Sequence, residues 1–267
     1  MSYLVDTHCH LHDREFFDQT QAEEMLTRAH ERGVKQVICV GTSHNDSLKA
    51  KEFAEQHENV FWTYGIHPES AGEKYEFTPG KKLVAIGEVG LDYHYPGYNR
   101  DKQIRLLEEM IQLAVDHKLP CSFHVRDAFD DFFAVVNNFV NEAKLKPSVI
   151  HSFSDSKKNF DRVLYSGFYV GINGLATFTD IYNFLKPEDG SAFLVYARFL
   201  LETDAPFLTP APNRGKINEP GNVKDVATWL SRKFNISEAK AAEWTTKNAS
   251  EVFNLPNPES ATGAASA

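Results

Sequence analysis

The sequence has no long apolar run. None of its stretches approaches the roughly 18 to 20 apolar residues that a membrane-spanning helix requires, so no membrane association is expected. Cysteine is scarce, with only Cys9, Cys39 and Cys121 among 267 residues. An odd, sparse set beside apolar runs argues against a disulfide framework and reads as buried free thiols in a reducing compartment. A basic excess is missing as well. Lys and Arg number 28 against 37 Asp and Glu, a formal net charge of −9. Proteins that coat duplex DNA electrostatically carry a basic footprint, which this chain lacks. A polyanionic substrate stays open, because two bound divalent cations carry about +4 locally whatever the global sum. The start, Met1-Ser2-Tyr3-Leu4-Val5-Asp6, has neither the basic nor the apolar part of a secretory signal. A cytoplasmic location is expected. There is no internal repeat of about 20 to 50 residues and no charged tail.

What is present is ordinary globular composition, 42% hydrophobic and 24% charged. Eight short apolar runs stand out: Tyr3–Asp6, Gln36–Val40, Val60–Tyr64, Val84–Gly87, Cys121–His124, Ser148–His151, Phe168–Ile172 and Phe199–Glu202. They are rich in Val, Ile and Phe and do not alternate, as suits strands buried on both faces of a parallel sheet. Helical spacing lies between them. Ile104, Leu107, Ile111 and Val115 form one apolar stripe; Phe129, Phe132, Phe133, Val136 and Val140 form another. Asp127 is placed to cap the second helix, and Ser237 to open a last one running to Val252. Eight strands alternating with helices predict an α/β fold, a TIM (β/α)8 barrel in a single domain over residues 1–255. A doubly wound open sheet is the competitor. Residues 256–267 read as a disordered or weakly ordered tail. The polar residues favour the barrel. His8, Glu88, His124, His151 and Asp204 each lie at or just after the C-terminal end of a predicted strand, and in a barrel those ends converge on one mouth.

Each constellation has a chemical and a structural reading. In Asp6-Thr7-His8-Cys9-His10, alternation puts His8 and His10 on one side, where both imidazoles can reach one metal ion. Two hydrogen-bonded histidines at a strand end are the plainer alternative. His12 follows at the next alternate position but beyond the strand, and is not assigned as a ligand. Glu88 follows an apolar run between Gly87 and Gly90, which suggests close approach to the backbone there. Asp92 either caps the next segment or holds a ligand histidine from behind. His124 and His151 each end a hydrophobic run. Arg126 shares a side with His124; its planar fork suits phosphate, and a salt bridge at the mouth is the alternative. Glu202 and Asp204 alternate, so both can point inward, and carboxylates that close repel unless a cation or proton sits between them. Arg214 lies in a basic, Gly-containing loop that either reaches substrate phosphates or is plain surface. Taken together, four histidines, one Glu and one Asp over five strand ends make two adjacent metal sites.

Six motifs now stand in order: Asp6-Thr7-His8-Cys9-His10-Leu11, Tyr64-Gly65-Ile66-His67-Pro68, Ile86-Gly87-Glu88-Val89-Gly90-Leu91-Asp92-Tyr93, His124-Val125-Arg126-Asp127-Ala128, His151-Ser152-Phe153-Ser154 and Leu201-Glu202-Thr203-Asp204-Ala205-Pro206. With Arg214-Gly215-Lys216 and Asn218-Glu219-Pro220, they resemble the signatures of the TatD family of metal-dependent deoxyribonucleases from residue 3 to about 255. Ser152, Ser154 and His94 depart from the family's commoner residues without touching a ligand. The resemblance implies an amidohydrolase-like TIM barrel holding two divalent ions per chain, Mg2+, Mn2+ or Zn2+. His8, His10, Glu88 and Asp204 would hold one ion. Glu88, His124 and His151 would hold the other, with Glu88 bridging. His67 and Glu202 would line the site. It also implies 3′–5′ exonuclease action on single-stranded DNA ends. The mechanism expected from the residues is a metal-activated water, with Asp204, a ligand with a free oxygen, taking its proton as general base. No obligate protein partner is expected. Competing readings are an aminoacyl-tRNA deacylase or another ester or amide hydrolase on the same barrel, and a metal-stabilised scaffold without catalysis.

Overall fold

The short non-alternating runs all become strands, because a parallel sheet covered on both faces favours near-continuous apolar runs. The computed structural model describes residues 3–258 apart from 187, 189 and 191. The expected tail beyond residue 258 lies outside the described residues. The strands are β1 (Leu4–Cys9), β2 (Val34–Val40), β3 (Val60–Tyr64), β4 (Leu83–Asp92), β5 (Cys121–Arg126), β6 (Val149–Ile150), β7 (Tyr169–Ile172) and β8 (Phe199–Leu201). They form one sheet in sequential order, every pair parallel. The two edges meet just past β8: Asp204 N donates to His8 O at 2.8 Å and His10 N to Ala205 O at 2.7 Å. This is the TIM barrel expected from the alternation of elements.

The helices are α1 (Gln19–Glu31), α2 (His44–Gln56), α3 (Arg100–His117), α4 (Phe129–Val140), α5 (Lys157–Tyr165), α6 (Ala192–Arg198), α7 (Val223–Phe234) and α8 (Glu238–Phe253). Ser237 caps α8 as its position suggests, its side chain accepting from Lys240 N. Asp127 does not cap α4. The cap position falls on Ala128, with no side-chain bond. The turn out of β5 holds Asp127 at φ 54°, and its carboxylate meets His94 Nδ1 at 2.9 Å instead.

Two cores result. Between sheet and helices lie Trp62, Tyr64, Phe123, Phe132, Phe160 and their neighbours. A second cluster gathers Val5, Ile38, Phe61, Val84 and Leu200 with Val252 and Phe253 from the end of α8. Helix α8 is tied to the barrel by Thr246 Oγ1 donating to Tyr3 O at 2.7 Å and Asn248 Nδ2 to Phe199 O at 2.9 Å. Cys9, Cys39 and Cys121 are buried and free, as their sparse spacing implied. No described helix is long and apolar enough to cross a membrane.

Strand β4 is longer than its apolar run suggested. It continues through Asp92, so Glu88 sits in mid-strand and not just past the strand's end. Gly90 makes this possible. Its φ is +154°, and a Cβ there would lie 1.8 Å from the carbonyl oxygen of His124. Only glycine lets β4 and β5 approach so closely beside the site.

Candidate metal centre

The strand ends deliver their polar side chains to one well. Glu88 stands at its centre. Its Oε1 lies 2.9 Å from His124 Nδ1, 3.0 Å from His151 Nε2 and 3.7 Å from His67 Nε2. Its Oε2 lies 3.5 Å from His8 Nε2. His8 Nε2 also faces Asp204 Oδ1 at 3.7 Å, and His10 Nε2 faces the same oxygen at 3.5 Å. One imidazole, His8, therefore stands between two carboxylates. Among the described residues, three groups bring ligand-type atoms within 4.8 Å of one another: His8, His10 and Asp204; His67, Glu88 and His124; His8, His151 and Glu202. His67 thus comes closer to Glu88 than a mere lining role required.

Groups behind the well fix how the imidazoles face. His10 Nδ1 donates to Val40 O at 2.9 Å, which leaves the Nε2 lone pair toward Asp204. His124 Nε2 donates to Asp92 Oδ2 at 2.8 Å, which leaves Nδ1 toward Glu88. Asp92 is itself held. Its backbone exchanges two 2.9 Å bonds with the Gln103 amide, and its Oδ1 accepts from His94 N at 2.8 Å. Of its two sequence-based roles, Asp92 takes the one behind the histidine; α3 is capped by Asn99. Outer partners of this kind typically carry 10–100-fold in metal affinity. Asp92→Ala is expected to weaken Mn2+ binding by about that factor, measured by calorimetric titration, with an unchanged far-UV spectrum. Unaltered affinity would remove Asp92 from the site.

The well fits a metal. His8 Nδ1, His8 Nε2 and His151 Nδ1 are buried without a hydrogen-bond partner. An unsatisfied buried polar atom costs about 1–3 kcal/mol, and coordination is the direct way to satisfy such a nitrogen. Burial opposes charge on Glu88, but His151, His124 and His8 around it hold its carboxyl well below the usual range. Burial likewise opposes charge on Asp204, and His10, His151 and His8 outweigh it. Burial drives His67 down to about 4, so its ring is neutral at pH 7, the form that can ligate. Imidazole mixed with carboxylate suits borderline divalent ions.

The segment after β8 shows what alternation alone could not. Asp204 faces the well, but the Glu202 carboxylate lies behind His151. It accepts from Ser152 N at 2.6 Å and Asn173 Nδ2 at 3.4 Å, with His151 Nδ1 3.6 Å away. Gly171 makes that pocket, since a Cβ there would lie 2.2 Å from Glu202 Oε2. Asp204 holds the left-handed φ of 57°, uncommon for a residue other than glycine and frequent at functional sites. A clasp beneath it keeps the turn. Asp6 Oδ1 accepts from Thr203 N at 2.8 Å and Oδ2 from Thr203 Oγ1 at 2.6 Å. Sequence reasoning missed Asp6, although the alternation that pairs His8 with His10 includes it.

His12 pairs with Asp46 at 3.1 Å, consistent with its exclusion from the ligands. Arg126 lines the 570 Å³ mouth cavity together with His10, Glu88, His124, His151 and Asp204. It forms no ion pair among the described residues; its guanidinium lies 5.3 Å over the Tyr95 ring, with Nη1 3.4 Å from the hydroxyl. Arg214 is not brought to the cavity lining. Its guanidinium stacks 3.7 Å over Phe178.

An eight-stranded parallel barrel whose strand ends gather histidines and carboxylates in one polar well defines a class, the metal-dependent hydrolases built on TIM barrels. Residues 5–254 match the family model described as TatD related DNase. The chain belongs to the TatD family. It is 30% identical to the metal-dependent hydrolase YcfH of Escherichia coli, over 95% of this chain and 96% of that one. It is 32% identical to the 3′–5′ ssDNA/RNA exonuclease TatD of Cronobacter sakazakii, over 85% of this chain and 93% of the relative. Among solved structures, the TatD homologue YjjV of E. coli superposes with a TM-score of 0.81 at 26% identity, over 95% and 98% of the two chains.

Proposed function

We propose that the protein hydrolyses phosphodiester bonds at single-stranded DNA ends, as a 3′–5′ exodeoxyribonuclease with two divalent ions per chain. The observation that carries this reading is the placement of Glu88, with His124 and His151 on one oxygen and His8 on the other, and His8 shared with Asp204. His8, His10, Glu88 and Asp204 would hold one ion, and Glu88, His124 and His151 the second. The relative named for exonuclease action on single strands supports the substrate class. The net charge of −9 shows no basic excess of the kind that coats duplex DNA.

Bound divalent ions supply Lewis acidity, lowering the pKa of water and offsetting charge on the phosphoryl oxygens. The chain's own groups do the rest. Asp204 directs Oδ1 at His8 and His10, which leaves Oδ2 to take the proton from the attacking water. The Asp6–Thr203 clasp keeps that carboxylate at the end of β8. Arg126 presents a planar fork to the phosphate and offsets the charge that develops as water adds. The bond from phosphorus to the leaving O3′ then breaks, and that oxygen takes up a proton.

The test is release of mononucleotides from end-labelled single-stranded DNA with Mg2+, Mn2+ or Zn2+, with aminoacyl-tRNA and small amides in parallel. Divalent-dependent release from DNA is expected. Release from the esters or amides alone would replace this reading with that of an ester or amide hydrolase. Within it, Arg126→Ala is expected to lower kcat/KM by roughly 10- to 100-fold, as for a lost hydrogen bond to a charged group. Metal content should not change, and Lys should restore only part because it lacks the fork. Unchanged kinetics would assign Arg126 a structural role.

A further inference from the structure

The mouth cavity has an apolar corner that neither the ligands nor the proton transfer uses. Phe16, in the loop after β1, is 43% exposed, and Phe207, three residues past Asp204, is 48% exposed. Both line the cavity. Their ring centroids are 5.4 Å apart at an interplanar angle of 81°. Phe207 also leans on His10, at 6.3 Å and 65°. A singly exposed aromatic ring is ordinary. Two rings meeting nearly at right angles, one resting on a ligand-type imidazole, make a notch continuous with the polar well.

The rest of the cavity says what the notch would hold. Its floor is imidazole and carboxylate. Across the barrel, at the end of β5, stands Arg126, with Tyr95 beneath its guanidinium. A nucleotide presents an anionic phosphate and a flat apolar base on one compact unit. Resting on the phosphodiesterase reading, we infer that Phe16 and Phe207 form a nucleobase-stacking subsite for the terminal nucleotide of a single strand.

The geometry accounts for selectivity toward unpaired ends. Base–aromatic stacking tolerates every base, because each has a π-face. The 81° corner offers one face and one edge, so the two rings do not form a single flat platform. A base that has left its stack can enter, whereas a paired one would first have to be unpaired and unstacked.

The experiment crosses residue with substrate. Phe207→Ala and Phe16→Ala are compared with wild type on a single-stranded oligodeoxynucleotide and on the same strand with an abasic terminal nucleotide. Both residues are half out of water, so truncation leaves the core intact; Phe207→Tyr keeps a stacking ring. Wild type is expected to favour the base-bearing end by roughly 10- to 100-fold in kcat/KM, most of it in KM. In either alanine variant that ratio should fall toward one, and Phe207→Tyr should restore it. A ratio that persists in both alanine variants overturns the subsite and leaves the nuclease reading intact. Binding of a cleavage-resistant phosphorothioate-terminated strand, followed by fluorescence anisotropy, separates the two readings. If wild type cuts no DNA yet binds the base-bearing end through these rings, the subsite stands and the nuclease reading fails. If it discriminates between the ends in neither assay, the subsite fails.

Discussion

Asp204→Asn is expected to lower turnover on single-stranded DNA by about 10²–10⁴-fold or more, the range for loss of a general base. The substitution separates the two roles proposed for one side chain. An amide oxygen can still approach an ion beside His8 and His10, but the amide cannot accept the water proton. The left-handed turn at φ 57° tolerates Asn at least as well as Asp, and the Asp6–Thr203 clasp is untouched, so the fold should persist. At least one ion should remain by elemental analysis. The acidic limb of the pH–rate profile should change, because a deprotonation has lost its acceptor. Near wild-type turnover would sink the assignment. Loss of all bound metal would show that Asp204 acts through ligation alone. Glu202 is then a poor substitute base, since its carboxylate is committed to Ser152 and lies behind His151.

Glu88→Gln should be at least as damaging. The Glu88 carboxylate faces four imidazoles, those of His8, His67, His124 and His151. An amide presents one oxygen and no charge to those nitrogens, so it would not serve the bridging role proposed for Glu88. We expect no more than one ion per chain under saturating Mn2+ and a fall in kcat/KM of at least ~10³-fold, beyond the 10–100-fold of an outer partner. A variant that keeps two ions and half its activity would refute the bridging role. Metal-free protein provides a second reading. The folded-state pKa of Glu88 is depressed, so its stabilisation is present above the ordinary carboxylate pKa of about 4.3 and is lost as pH falls toward the depressed value. Chelated wild type should therefore lose more thermal stability than chelated Glu88→Gln on acidification from about pH 5. Equal losses would mean that the imidazoles do not depend on that charge.

Local pattern carried a large part of this site. Period-two alternation from β1 onward predicted that His8 and His10 share a side, and both imidazoles face Asp204 Oδ1. The eight apolar runs predicted the barrel because strands covered on both faces are mostly apolar along their length. Cysteine scarcity and the Ser237 cap were equally readable. Each of these depends on neighbours within a few residues.

Other features depended on residues far apart in the chain. Alternation made Glu202 and Asp204 equivalent; the space left by Gly171 and the Ser152 amide drew Glu202 behind His151. Thr203 reaches Asp6 across 197 residues, a contact no window of sequence contains. Asp127 left its cap position because the turn out of β5 aimed its carboxylate at His94. Arg214 found the face of Phe178 before any phosphate. The sequence by itself determined where the strands run and which polar residues fall at or beside their ends, because two-sided burial makes those runs mostly apolar. The tertiary structure alone decided which of them face the well and which stand behind it, because a side chain's direction past the last strand residue is set by backbone turns and partners that only the closed barrel brings together.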